Sequence, residues 1–394
     1  MSAPREHLPA LTAIRFPLAA MVVGYHVGRK YDLGLPRWLD VFMEHAHFTV
    51  SFFFMLSGFI LAYNYAPAMA AGKFSLRLFV RSRFARIYPM YLVGLAAALP
   101  FFLHQHYVHI DTPTIRDALE LVAQGALVLA MMQAWHPETA TLWNGQSWSL
   151  SAELFFYTLF PFITLALYKM ERRRAWALGL GLWALSMIVP LYNASNGVDE
   201  ATFAWKVEYF TPILRLPDFV LGVLVGGQFL RWREARRAAG KEEEEPRGIV
   251  VAGLVSLLAM IVIMSMADRA PKSLMVTTIV APFAAMFLFM VAAGAGPVTR
   301  LLDQNWMVKL GDISYGIYIL HVAWWWMFQV AVRQYGYSPV GSNWFYLLYC
   351  LTLLPIAWLA TYLVEVPARR FLLDLESKKR MTKAFNERAY AAKD

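Results

Sequence analysis

An arginine and a histidine, Arg15 and His26, stand eleven positions apart inside one apolar run that begins at Leu11. At about 100° per residue, eleven positions return to nearly the same helical face, about 16 Å further along the axis. Ionisable groups inside a spanning helix are costly, so they face the protein interior or a wet cavity and mark functional pathways. Two of them on one stripe predict a polar track through the molecule. Histidine titrates near neutral pH and acts as a general base toward an alcohol, which makes His26 the candidate base. The competing reading is a packed histidine bonded to a neighbouring carbonyl.

Five further constellations carry polar chemistry on apolar stretches. Ser149, Glu153 and Tyr157 repeat at i, i+4, i+8, so a carboxylate on their face can steady a histidine as it gains a proton. A capping serine with an interfacial glutamate is the alternative there. Arg83 and Arg86, three apart and followed by Tyr88-Pro89, are helix neighbours whose guanidinium forks suit phosphate. Ser57-Gly58 lets a ligand chain or another backbone approach closely. Ser314, Tyr318 and His321 share a stripe, His321 facing the same cavity, while Asp312 reads as a helix cap. Arg215 and Asp218, at i, i+3, either serve the acceptor or neutralise each other.

These residues need a membrane around them. The chain has 394 residues, of which 59% are hydrophobic and 16% charged, with a mean hydropathy of +0.44. A soluble domain carries about a quarter charged residues. The fourteen tryptophans suit helix ends at membrane interfaces. The fold class is therefore an all-α polytopic membrane protein. The net charge of +9 does not indicate nucleic acid, because the basic residues fall in short connections, as the positive-inside bias requires. A single cysteine, Cys350, excludes an intrachain disulfide. Arg15 and Pro17 interrupt the first apolar run, which reads as a spanning helix and not a cleaved signal.

Apolar stretches of spanning length fall at 8–28, 48–66, 85–104, 117–134, 148–168, 174–192, 211–230, 248–267, 274–294, 313–335 and 344–364. Lys73, Arg77, Arg81 and Arg83 put one connection in the cytoplasm, and Lys169, Arg172, Arg173 and Arg174 put a later one there too. An even number of crossings must separate them. The segment 117–134, which contains Asp117, Glu120 and Gln124, is therefore re-entrant or peripheral. About ten transmembrane helices remain, with both termini cytoplasmic. Residues 1–372 form the transmembrane domain and 373–394 a charged cytoplasmic tail; 241–247 reads as a solvated linker. His104, His106 and His109, with His45 and His47, lack a fourth ligand at useful spacing, so no metal is expected.

Taken in series, six segments resemble the acyltransferase-3 family of integral membrane O-acyltransferases: Arg15 with His26; Phe54 to Phe59; Arg83 to Pro89; Trp148 to Glu153; Leu310 to Tyr315; and Glu365-Val366-Pro367. The resemblance implies transfer of an acyl group, commonly acetyl from acetyl-CoA, to a hydroxyl of an extracytoplasmic, lipid-linked or glycosylated sugar acceptor. It makes Arg15 and His26 the central pair; the reading of the residues themselves adds Glu153 to the catalytic set. Arg83, Arg86, Ser57, Gly58 and Tyr315 are then assigned to the acyl-CoA donor. Trp148, Ser149, Tyr157, Arg215 and His321 are assigned to the acceptor. Arg369 and Arg370 extend the basic face. Some relatives carry a C-terminal hydrolase-like domain; here the chain ends soon after the last span, so a second acylation step would need another protein. The expected setting is a bacterial inner membrane. A transporter or flippase of a lipid-linked saccharide, moving unmodified substrate along the same polar track, is the alternative.

Overall fold

The computed structural model describes residues 8–31, 33–108, 114–275, 279–338 and 343–374. Seventeen α-helices follow one another through these residues. They are α1 Pro9–Ala13, α2 Arg15–His26, α3 Arg37–Glu44, α4 Phe48–Ala70, α5 Leu76–Tyr107 and α6 Ile115–Leu129. Then come α7 Trp148–Lys169, α8 Arg172–Ser186, α9 Ile188–Ser195, α10 Phe203–Phe210 and α11 Pro212–Ala238. The last are α12 Arg247–Ser265, α13 Lys272–Met275, α14 Ala281–Ala292, α15 Gly296–Leu302, α16 Asn305–Gln334 and α17 Asn343–Ala360. Eight continuous helical stretches among the described residues are long and apolar enough to cross a bilayer, or nine if α14 and α15, bent by 67°, count as one span. The 30-residue α16 lies outside that count, yet at about 45 Å it has the length to cross. The molecule is a multi-pass, all-α integral membrane protein.

Two predicted boundaries move. The stretch 274–294 is not one helix among the described residues: α14 begins at Ala281 and bends into α15 where Gly294 and Gly296 adopt φ of 70° and 86°. Asp312 does not cap a helix, because α16 already starts at Asn305. Most of the expected C-terminal tail lies outside the described residues.

The segment 117–134 does not cross. Its helix, α6, has 15 residues and is about 22 Å long, against about 30 Å of hydrocarbon. Thr114 caps it through a reciprocal bond with Asp117, and that hydrogen bonding holds the Asp117 carboxyl below its ordinary value. The helix doubles back along α5. His106 Nε2 lies 3.1 Å from the Asp117 carbonyl, while Tyr91 donates to the Val128 carbonyl at 2.5 Å. The irregular chain that follows stays buried where it meets α5: Gln133 and Ser147 are fully covered, and the Gln133 amide donates to Tyr91 and Ser147. Non-helical backbone at this depth is tolerated only when protein covers it.

Two close crossings frame the interior. α4 and α11 meet through Gly58, Gly222 and Gly226, where a Cβ would strike the carbonyls of Phe219, Met55 and Phe59 respectively. The first span is broken at Ile14, between α1 and α2, where Pro17 has no N–H to offer the carbonyl of Ala13. Gly311 of α16 crosses there, against the backbone of Thr12 and Ala13. The break makes Arg15 the first residue of α2 and sets it beside α16.

Candidate active site

Five helices, α2, α4, α5, α7 and α16, surround a cavity of about 140 Å³. Its polar lining comes from Arg15, Ser57, Arg83, Arg86, Ser149, Glu153, Tyr157, Ser314, Tyr315 and Tyr318, and its apolar lining includes Phe53, Phe54, Ile60 and Leu61. All ten of these polar residues were singled out in the sequence, and they meet here.

Glu153 is the polar centre on α7. Its Oε1 accepts from the Ser57 hydroxyl at 2.7 Å and from the Tyr157 hydroxyl, one turn along α7, at 2.5 Å. The i, i+4 spacing thus works as a clamp on a carboxylate among arginines. The Ser149 and Tyr318 hydroxyls lie 2.7 Å apart, and both reach the Gln146 carbonyl, at 3.2 and 3.0 Å.

The two arginines of α5 are held differently. Arg86 pairs with Glu365, and its guanidinium sits 5.7 Å from the Tyr315 ring, whose hydroxyl donates to the Ile87 carbonyl at 2.8 Å. Glu365 is delivered by a π-helical stretch, Thr361–Glu365, that continues α17 and widens it just before Pro367. Arg83 stacks near the rings of Tyr65 and Tyr157, at 5.8 and 5.9 Å, and its Nε is buried without a hydrogen-bond partner. A donor left unpaired in a cavity is a binding group for an anion.

His26 does not line this cavity. It ends α2 beside α16, where its Nδ1 lies 3.1 Å from the Val22 carbonyl and 3.0 Å from Nε2 of His321. His321 Nδ1 in turn lies 2.7 Å from the Tyr318 carbonyl. Tyr318 therefore belongs to both places, one face of its residue in the cavity and its carbonyl on the histidine pair. Glu153, expected to steady His26, is bonded to Ser57 and Tyr157 instead; the ring against His26 is that of His321.

Four more assignments change. Gly58 packs α4 on α11 and does not line the cavity, so it offers no approach to a donor. Trp148 is buried in an aromatic cluster with Phe54, Tyr209 and Phe210, with centroids 5.0–6.0 Å away. Arg215, also buried, donates from Nε to the Tyr209 carbonyl at 2.8 Å and lies against the Tyr209 ring. His321, fully buried, cannot touch an acceptor directly.

The sequence reading missed Glu365 as the partner of Arg86, and the amides of Asn144 and Gln146, which donate to the Ile319 carbonyl at 3.0 and 2.7 Å. The available signal was an amide pair directly before the Ser149–Tyr157 stripe. Among the described residues no group of three His, Cys, Asp or Glu side chains could hold a metal ion; His109 lies outside them.

Residues 8–362 match a family described as an acyltransferase domain. The chain is 27% identical over 354 residues, 85% of its own length and 81% of the relative's, to Acyltransferase MdmB of Streptomyces mycarofaciens. It is 34% identical over 161 residues, 38% of this chain and 79% of the relative, to Protein 2 in picA locus of Rhizobium radiobacter. A third similarity, 21% over 316 residues covering 70% of this chain and 38% of the relative, is to Nose resistant to fluoxetine protein 6 of Caenorhabditis elegans. No solved structure matches.

Proposed function

This chain belongs to the acyltransferase-3 family, and we propose that it moves an acetyl group from cytoplasmic acetyl-CoA to a hydroxyl of an extracytoplasmic, lipid-linked or glycosylated acceptor, with His26 as general base. Membrane acyl transfer follows from the family; the donor, the acceptor and the base are the proposal. The observation that carries it is the adjacency on α16: Tyr315 and Tyr318 line an arginine-rich cavity, and His321, one turn on, packs against His26.

That arrangement supports the following chemistry. A CoA donor is a polyanion with a long thin arm. Arg83, with its unpaired Nε, and Arg86 bind the anionic end, while Arg15 and the Ser57–Glu153–Tyr157 clamp line the path of the arm. A cavity of about 140 Å³ takes the thioester end of the arm and leaves the nucleotide outside. The rise from Arg15 to His26 along α2, about 16 Å, is of the order of an extended pantetheine. His26 removes the proton of the acceptor hydroxyl, the alkoxide attacks the thioester carbonyl, the C–S bond breaks, and the leaving thiolate recovers the proton. The setting is a bacterial inner membrane.

The test is His26→Ala, purified and reconstituted with labelled acetyl-CoA and a glycolipid extract. Loss of label transfer with an unchanged melting curve is expected. Full transfer by the variant, or movement of unmodified saccharide by the wild type with no need for acyl-CoA, would overturn the proposal.

A further inference from the structure

We infer that His321 is a positioning residue: together with the Val22 carbonyl it holds His26 in the Nδ1–H tautomer, so that the basic lone pair stands on Nε2, and it accepts the Nδ1–H bond that strengthens when His26 becomes charged. The inference rests on His26 being the base.

The hydrogen bonds leave one arrangement. A backbone carbonyl only accepts, so each ring nitrogen facing one must carry a hydrogen. His26 Nδ1, 3.1 Å from the Val22 carbonyl, is such a nitrogen, and so is His321 Nδ1, 2.7 Å from the Tyr318 carbonyl. A neutral imidazole has a single N–H, so Nε2 of His321 is an acceptor, and it faces His26 Nδ1 at 3.0 Å. The Nδ1–H of His26 is shared between the Val22 carbonyl and His321, and its lone pair is left on Nε2, which no described residue occupies. Reversing either ring would aim a lone pair at a carbonyl oxygen.

Burial gives His321 no other task. Its side chain is fully covered, and its own carbonyl accepts from the Tyr349 hydroxyl at 2.7 Å, which fixes α16 against α17 at this level. It acts through His26 alone. When Nε2 takes the hydroxyl proton, one O–H bond breaks and one N–H bond forms, and the new positive charge spreads over the ring. The bond from Nδ1–H to His321 then becomes charge-assisted, with no proton leaving His26. In hydrolytic triads a carboxylate fills this place. Here a neutral ring does, and the carboxylate, Glu153, is committed to Ser57 and Tyr157.

The experiment compares His321→Gln, His321→Asn and His321→Leu in the full-length protein in vesicles. Acetyl-CoA is the donor, octyl glucoside the hydroxyl probe, and CoA thiol release the readout. A glutamine amide oxygen can stand where Nε2 stood, whereas asparagine reaches only as far as Nδ1. Gln should keep kcat within about tenfold of wild type, while Asn and Leu lose on the order of 10²–10³-fold. The KM for acetyl-CoA should be unchanged in all three, and the acid limb of the pH–rate profile should be displaced in Asn and Leu. Wild-type kcat in Asn or Leu, or Gln impaired as deeply as Asn, would overturn the inference, and the Gln–Asn contrast holds even if Leu fails to fold. His26→Ala separates the two levels: activity in that variant ends the reading of His26 as base. An inactive His26→Ala beside fully active His321 variants ends only the role of His321.

Discussion

Removing Arg86 should destabilise the protein far more than neutralising its partner. The two side chains are buried unequally: Arg86 is 25% exposed and Glu365 only 2%. Arg86 supplies the bond to Oε1 of Glu365, while Oε2 is already buried without a partner. In Arg86→Ala the carboxylate is stranded with neither oxygen bonded, and breaking a buried pair from this side costs about 3–5 kcal/mol. In Glu365→Gln the guanidinium keeps an amide oxygen and some water, so the loss is that of a charged hydrogen bond reduced to a neutral one, about 1–2 kcal/mol. The gap, about 2 kcal/mol, is more than tenfold in the folded-to-unfolded ratio. Intrinsic fluorescence of the fourteen tryptophans during thermal unfolding in detergent reads this directly. The melting order should be wild type, then Glu365→Gln, then Arg86→Ala. The double variant Arg86→Ala/Glu365→Gln should melt above Arg86→Ala alone, because no charge is then stranded. Equal melting of the two single variants, or a double variant no better than Arg86→Ala, would refute the reasoning.

Gly58→Ala should lower stability by about 1–3 kcal/mol, since a Cβ there meets the backbone of α11, Val223 N at 2.9 Å among it. The KM for acetyl-CoA should stay at the wild-type value; a raised KM with normal melting would mean that a ligand, not α11, needs the space. For the re-entrant path of α6, Glu138→Cys in a Cys350→Ser background should react with an impermeant maleimide added outside intact cells. Labelling only after permeabilisation would mean that α6 crosses.

Much of the fold was legible because a bilayer imposes local rules. Spanning length and absence of charge are properties of a single stretch, and loop charge decides parity, which is how 117–134 was recognised as not crossing before α6 showed why. The misjudged stretch, 274–294, contains or adjoins glycines whose positive φ bends the chain, and hydropathy is blind to φ. The site was half legible for a similar reason. Helical spacing says which residues share a face, so Ser149, Glu153 and Tyr157 were correctly grouped, as were Arg83 and Arg86. It does not say what that face meets. Gly58, Trp148 and Arg215 share stripes or segments with cavity residues, yet their neighbours proved to be α11, an aromatic cluster and a backbone carbonyl.

The sequence by itself determined that this protein is a helical membrane enzyme with an arginine and a histidine about 16 Å apart on its first span, because run length, helical period and motif order are carried by neighbouring residues. Only the tertiary structure decided that Glu153 lines the cavity and that the ring of His321 meets that of His26. Those two histidines are 295 positions apart, and nothing but the packing of α16 on α2 brings their rings within hydrogen-bond reach.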